Sequence, residues 1–176
     1  ELLAKNGSNM GETEFWDEFL PGFSPNGEGF TIQFGESFDG IIEQMHEKAS
    51  SMDLKEIAAN SAGGGLFDIK KDYPGVGRML NGKYVSSRSA GNYLAGYNAS
   101  GGTYFGIGIS FETFQKLAGA LHIEESARRK LSNAQKADIV LFGTYSSSNH
   151  SKFKAPTWGE IPYQYRMSKK GWNHGK

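Results

Sequence analysis

No cysteine occurs among the 176 residues, so neither disulfides nor thiolate metal ligands contribute and packing alone must hold the fold. No apolar run approaches the roughly 20 residues that span a bilayer, and no basic-then-apolar signal peptide opens the chain, so membrane insertion is not expected. The first residue is Glu1 rather than Met, which reads as a piece cut from a longer protein. Walker, GxGxxG, HExxH and GxSxG motifs are all missing, which removes the common nucleotide, zinc-protease and serine-hydrolase signatures. His46, His122, His150 and His174 lack metal-ligand spacing, so no metal site and no cofactor is expected; a magnesium ion held by carboxylates would leave no such pattern.

What is present is one domain's worth of chain with an uneven charge distribution. The net charge is zero, yet residues 1–60 carry twelve acids and three bases, whereas 61–176 carry seven acids and sixteen bases. Such a division fits an acidic region folded against a basic one, or a basic face kept for an anionic polymer.

Residues 1–36 lack a sustained period, and Pro21 and Pro25 interrupt any helix, so they read as an irregular arm whose Phe15, Trp16, Phe19 and Phe23 dock on the core. Residues 37–176 form the catalytic domain in this reading. Phe38, Ile41, Ile42, Met45, Ala49 and Met52 keep helical spacing behind a capping Ser37, and Asp53 with Glu56 makes a capping box for a second helix. Leu66–Lys70 alternates like a strand, and Asn81-Gly82 is the preferred hairpin pair between Arg78–Leu80 and Lys83–Tyr84. Ser89 and Ser110 are placed to cap two further helices, a basic helix is expected over 124–141, and a turn and helix close the chain. The expectation is an α+β, mostly helical single domain with about five or six helices and one small antiparallel hairpin or sheet.

Several polar residues invite a chemical reading. On a strand, Asp68 and Lys70 share a face, either as a surface ion pair or as a carboxylate tuned by its neighbour beside a cleft. Asn92 precedes Gly96 by one helical turn, where a glycine admits close backbone approach. Glu43 and Glu47 place two carboxylates on one face of the first helix, and His46 with His122 would serve as base and acid in RNA cleavage.

Taken in order, "EQMHEKASSMDLKEI", "GGGLFDIK", "GNYLAGYNASGG", "FETFQKLAGALH" and "GEIPYQYRMSKKGW" resemble the segments of the bacterial polymorphic toxin type 44 family, over Ile41 to Trp172. The resemblance implies a secreted toxin module of Rhs-like antagonism proteins, delivered into a rival cell and neutralised by an immunity protein. It points to Gln44, Asp68, Lys70, Asn92 and Glu160, with Gly91 and Gly96 setting shape. Gln44 stands where the family has Glu, which implies a natural variant or a deliberately inactivated chain unless Glu43 or Glu47 takes that role. Fold-level analogy to lysozyme-like glycosidases puts peptidoglycan cleavage first, with position 44 as acid, Asp68 as stabiliser, Lys70 beside it, and Asn92, Glu160 and Tyr97 on substrate. The alternative is a ribonuclease in which His46 or His122 moves protons and Lys70, Lys83 and Arg88 hold phosphate. A third reading is a non-enzymatic binding tip, which predicts no cleft containing Asp68.

Overall fold

The computed structural model describes residues 2–14, 31–104, 106–145 and 151–176. The aromatic cluster expected at Phe15–Phe23 and the histidine at 150 lie outside the described residues. In chain order the elements are β1 (Leu2–Leu3), β2 (Asn9–Gly11), β3 (Thr31–Ser37), α1 (Asp39–Ala49), α2 (Leu54–Ser61), α3 (Ile69–Asp72), β4 (Val76–Leu80) and β5 (Lys83–Ser86). Then follow α4 (Ser87–Ser100), β6 (Thr103–Tyr104), β7 (Ile107–Gly108), α5 (Phe111–Ser126), α6 (Asn133–Phe142) and α7 (Pro162–His174). Seven helices and three small sheets among the described residues make an α+β domain.

Local chemistry explains most of these boundaries. Asp53 accepts from the backbone of Lys55 and Glu56 while Glu56 returns a bond to the Asp53 amide, a complete capping box for α2. Ser110 caps α5 through the Thr113 amide at 3.1 Å, as its position implied. Asn81 and Gly82 both have positive φ, 51° and 80°, and join β4 to β5 in the hairpin their sequence favours.

Four expectations are corrected. The third strand of the central sheet is β3, which runs parallel to β4; the arm of residues 1–36 is therefore not wholly irregular. Leu66–Lys70 is no strand, because the Asp68 carboxylate accepts the Gly64 amide at 2.7 Å and the chain turns into α3. The cap of α4 is Ser86, whose hydroxyl receives the Ser89 amide, so Ser89 lies inside the helix. The basic helix is two helices: α5 ends at Ser126, and Ser132 with Gln135 forms a capping box that starts α6.

Helix α4 is the centre of the fold. Its small residues allow burial on nearly every side, with Ala90, Leu94 and Ala99 essentially inaccessible. One flank joins Phe38, Ile42, Phe67, Val85 and Met167 in the main core. The other meets α7 so closely that a Cβ on Gly96 would lie 1.9 Å from the Ser168 carbonyl oxygen, and one on Gly171 would lie 1.9 Å from that of Tyr93. Gly96 is thus required by packing, whereas Gly91 has nothing within 4 Å of its would-be Cβ and sets no shape. Separate clusters unite α5 and α6 around Ile139 and Tyr145, and Leu54, Phe114 and Trp172 beside α4.

The two charge halves are joined in part within the fold. Glu12 pairs with Lys83 at 3.4 Å, Glu14 with Lys170, and Glu36 with Arg78 at 3.8 Å. Residues 12–14 lie along the free edge of β5, bonded through the backbone of Tyr84.

Candidate active site

A cavity of about 470 Å³ opens between α2, α4, α5 and α7. That volume is in the range of small-molecule pockets, about 300–1,000 Å³. Much of its wall is apolar, from Leu54 and Ile57 of α2, Ala95 and Ala99 of α4, and Phe114, Leu117 and Leu121 of α5. Helical spacing delivers the polar groups: Arg88 and Asn92 are one turn apart on α4, His122 and Glu125 one turn apart on α5, and Gln164 and Ser168 one turn apart on α7. Glu160, just before α7, and Lys70, Lys136 and Ser61 complete the polar lining.

Glu160 is the most perturbed group. Burial of its carboxyl raises the pKa from the ordinary 4.5 to about 7, and a hydrogen bond from Gln115 only partly opposes this. Gln115 is 1% exposed and its Nε2 donates to Oε2 of Glu160 at 2.5 Å and to the Thr157 carbonyl at 3.1 Å. That double anchor fixes the carboxyl on the wall. The segment carrying it is itself clamped, since a Cβ on Gly119 would meet the Trp158 carbonyl at 2.1 Å.

His122 shifts the other way. Burial lowers its pKa, Glu125 opposes the change, and the positive charges of Lys152 and Arg88 reinforce it. One cavity therefore holds a carboxylic acid inclined to stay protonated and an imidazole inclined to stay neutral. Two groups shifted in these directions can donate and accept a proton, respectively. Arg88, Lys70 and Lys136 add three cations, the complement of an anionic substrate.

Lys70, Asn92 and Glu160, three of the five residues marked by the family resemblance, thus share one cavity together with Arg88 and His122. The remaining candidates fall elsewhere. Gln44 is exposed on α1 and does not line the cavity. Asp68 is also absent from it and is engaged with the Gly64 amide; the strand argument that put it beside Lys70 does not apply. Lys83 pairs with Glu12 and borders a smaller pocket of about 110 Å³ with Asn81, Tyr93 and Lys170. Tyr97 is 8% exposed, donates to Glu43 and stacks between the rings of His46 and His174, with centroids 3.5 and 4.5 Å away. His46 also bonds Asn98 at 3.0 Å, so His46 and His122 do not meet as a pair in the cavity. Asn81 and Gly82 are scaffold, as their turn geometry requires.

Sequence reasoning did not single out Gln115, Glu125, Lys136 or Gln164. The signal for one of them was available: Glu125 follows His122 by three residues, one helical turn on. Nothing local marked Gln115, Lys136 or Gln164. Among the described residues, no group of three or more His, Asp or Glu side chains is placed to hold a metal ion. No protein-family model matches the chain, and no curated protein or solved structure is significantly similar to it.

Proposed function

We infer that the chain is a hydrolase that cleaves RNA by acid–base chemistry in the cavity between α2, α4, α5 and α7. The observation that carries this reading is that Glu160, His122 and three cations line one cavity. In the proposed reaction, neutral His122 takes the proton of a ribose 2′-hydroxyl as its oxygen bonds to phosphorus. The phosphorus–O5′ bond breaks, and the departing oxygen receives the proton of Glu160. The products are a 2′,3′-cyclic phosphate and a free 5′-hydroxyl. Arg88, Lys70 and Lys136 hold the non-bridging oxygens while charge develops there. General acid–base transfer of this kind contributes about 10²–10⁴-fold to rate. Sixteen basic residues beyond position 60 agree with a phosphate-rich substrate. The resemblance to the polymorphic toxin type 44 family makes the setting a secreted antagonism toxin acting in the cytoplasm of a rival cell, countered by an immunity protein.

A second reading is favoured by Glu125, which puts a second carboxylate on the same cavity as Glu160. Glu160 would then protonate a glycosidic oxygen of peptidoglycan, and Glu125 would stabilise the oxocarbenium or form the glycosyl intermediate, a lysozyme-like arrangement acting in the periplasm. It keeps the paired-carboxylate logic but transfers it from Gln44 and Asp68 to other residues.

Incubating the purified chain and its Glu160→Gln variant with RNA and, separately, with peptidoglycan sacculi separates the two. Short RNAs ending in 2′,3′-cyclic phosphate, produced by the parent and not the variant, are expected. Release of soluble glycan fragments instead favours the second reading. If neither polymer is cut, both hydrolase readings fall and a non-enzymatic binding tip takes their place.

A further inference from the structure

Two amides on the cavity wall have unmet hydrogen-bonding capacity. Asn92 of α4 and Gln164 of α7 both line the cavity, and Nδ2 of Asn92 and Oε1 of Gln164 are buried without a partner. Gln164 is only 9% exposed. Buried polar groups are almost always bonded, and each one left unpaired weakens the fold. The fold tolerates this twice on one cavity, and the two atoms are of opposite kind, one donor and one acceptor.

A ligand that satisfies both offers an acceptor to Asn92 and a donor to Gln164. Its flat faces would lie against the apolar wall made by Ala95, Ala99 and Leu121. An amide edge, a carbonyl beside an N–H, has this form. The terminal torsions of Asn and Gln are broad, so each amide can turn towards an entering ligand without leaving its rotamer family. A site that hydrogen-bonds such an edge also rejects analogues that lack it, because its polar atoms would then stay unpaired.

We propose that Asn92 and Gln164 are a recognition pair for an amide edge and that this pair selects the substrate entering the cavity. The lactam of uracil or guanine, a cis amide, has that edge; the acetamido group of an N-acetylated amino sugar is a trans amide that carries the same acceptor and donor on opposite sides. The proposal rests on the hydrolase reading only in taking this cavity as the substrate site.

The test is a binding titration of the intact chain, followed by nuclear magnetic resonance, with uridine, ribose, N-acetylglucosamine and glucosamine. One amide-bearing probe is expected to bind with a Kd of about 1 mM or tighter, while its amide-free counterpart does not. Uridine as that probe assigns the pair to the edge of a nucleobase, and N-acetylglucosamine assigns it to the two opposite sides of an acetamido group. Asn92→Leu and Gln164→Leu are each expected to weaken binding at least about tenfold while keeping or raising Tm, since an unpaired buried atom is removed. Asn92→Asp, which replaces the donor by an acceptor at constant volume, provides the same loss of binding should a leucine disturb packing. Failure of both amide-bearing probes to bind the folded chain overturns the proposal, as does binding that all three variants retain. A chain that binds an amide edge through these residues yet cuts neither RNA nor glycan keeps the recognition pair and loses the hydrolase reading.

Discussion

Replacing Glu160 by Gln isolates the electrostatic cost on which the proposed chemistry depends. In the unfolded chain this carboxyl titrates near its ordinary 4.5, and in the folded chain near 7. The folded state therefore holds the proton more tightly. Stability from this source is fully present below about pH 4.5 and is lost as pH rises through 7, where folding must bury a charge. A displacement from 4.5 to about 7 corresponds to about 3 kcal/mol of differential interaction. Glutamine keeps the carbonyl that receives the Gln115 donor and never ionises. The variant should match the parent near pH 4.5 and exceed it by up to about 3 kcal/mol at pH 8, or roughly 6–12 °C in Tm for a chain of this size. Other titrating groups, including His122 with its opposite shift, are common to both proteins and largely cancel in the difference. Thermal denaturation of the pair from pH 4 to 8.5 measures it. A Tm difference that stays constant across that range would refute the burial argument.

Other substitutions separate packing from chemistry. Gly96→Ala should destabilise by about 3 kcal/mol or more in urea denaturation, because its Cβ meets the Ser168 carbonyl at 1.9 Å, whereas Gly91→Ala, with open space around it, should gain up to about 1 kcal/mol from helix propensity. Asp68→Ala should cost about 1 kcal/mol through the lost bond to the Gly64 amide and leave the rate of polymer cleavage unchanged. Gln44→Glu should alter neither cleavage nor, beyond about 0.5 kcal/mol, stability, since the residue is exposed and outside the cavity. Tyr145→Phe removes a hydroxyl that donates to the buried Glu124 carboxylate and should lower unfolding free energy by about 1–3 kcal/mol.

Legibility of the sequence followed the range of the forces involved. The capping box at Asp53, the Ser110 cap and the Asn81-Gly82 hairpin are set by interactions within a few residues, and all three were readable. Failures came where a distant or competing contact decided the outcome. Alternation in Leu66–Lys70 imitates a strand, but the Asp68 carboxylate bonds the preceding glycine turn and starts a helix. Thr31–Ser37 gave no local strand signal because its partner, β4, lies some forty residues further along the chain. The same division holds at the site. Asn92, Glu160, Lys70, Arg88 and His122 were each chosen from the sequence, and only tertiary packing brings them to one cavity. The raised pKa of Glu160 was not readable, because it comes from burial in the tertiary fold, against which the hydrogen bond from Gln115, forty-five residues earlier, acts only in part.

The central claim is that Glu160 and His122 work as acid and base in one cavity, and the pH dependence of RNA cleavage tests it most directly. The account predicts a bell-shaped kcat/KM profile whose acid limb lies below 6.5, from His122, and whose alkaline limb lies near 7, from Glu160. Glu160→Gln should lose the alkaline limb together with about 10²-fold or more of the rate. Cleavage that persists in the variant with an unchanged alkaline limb would contradict the account.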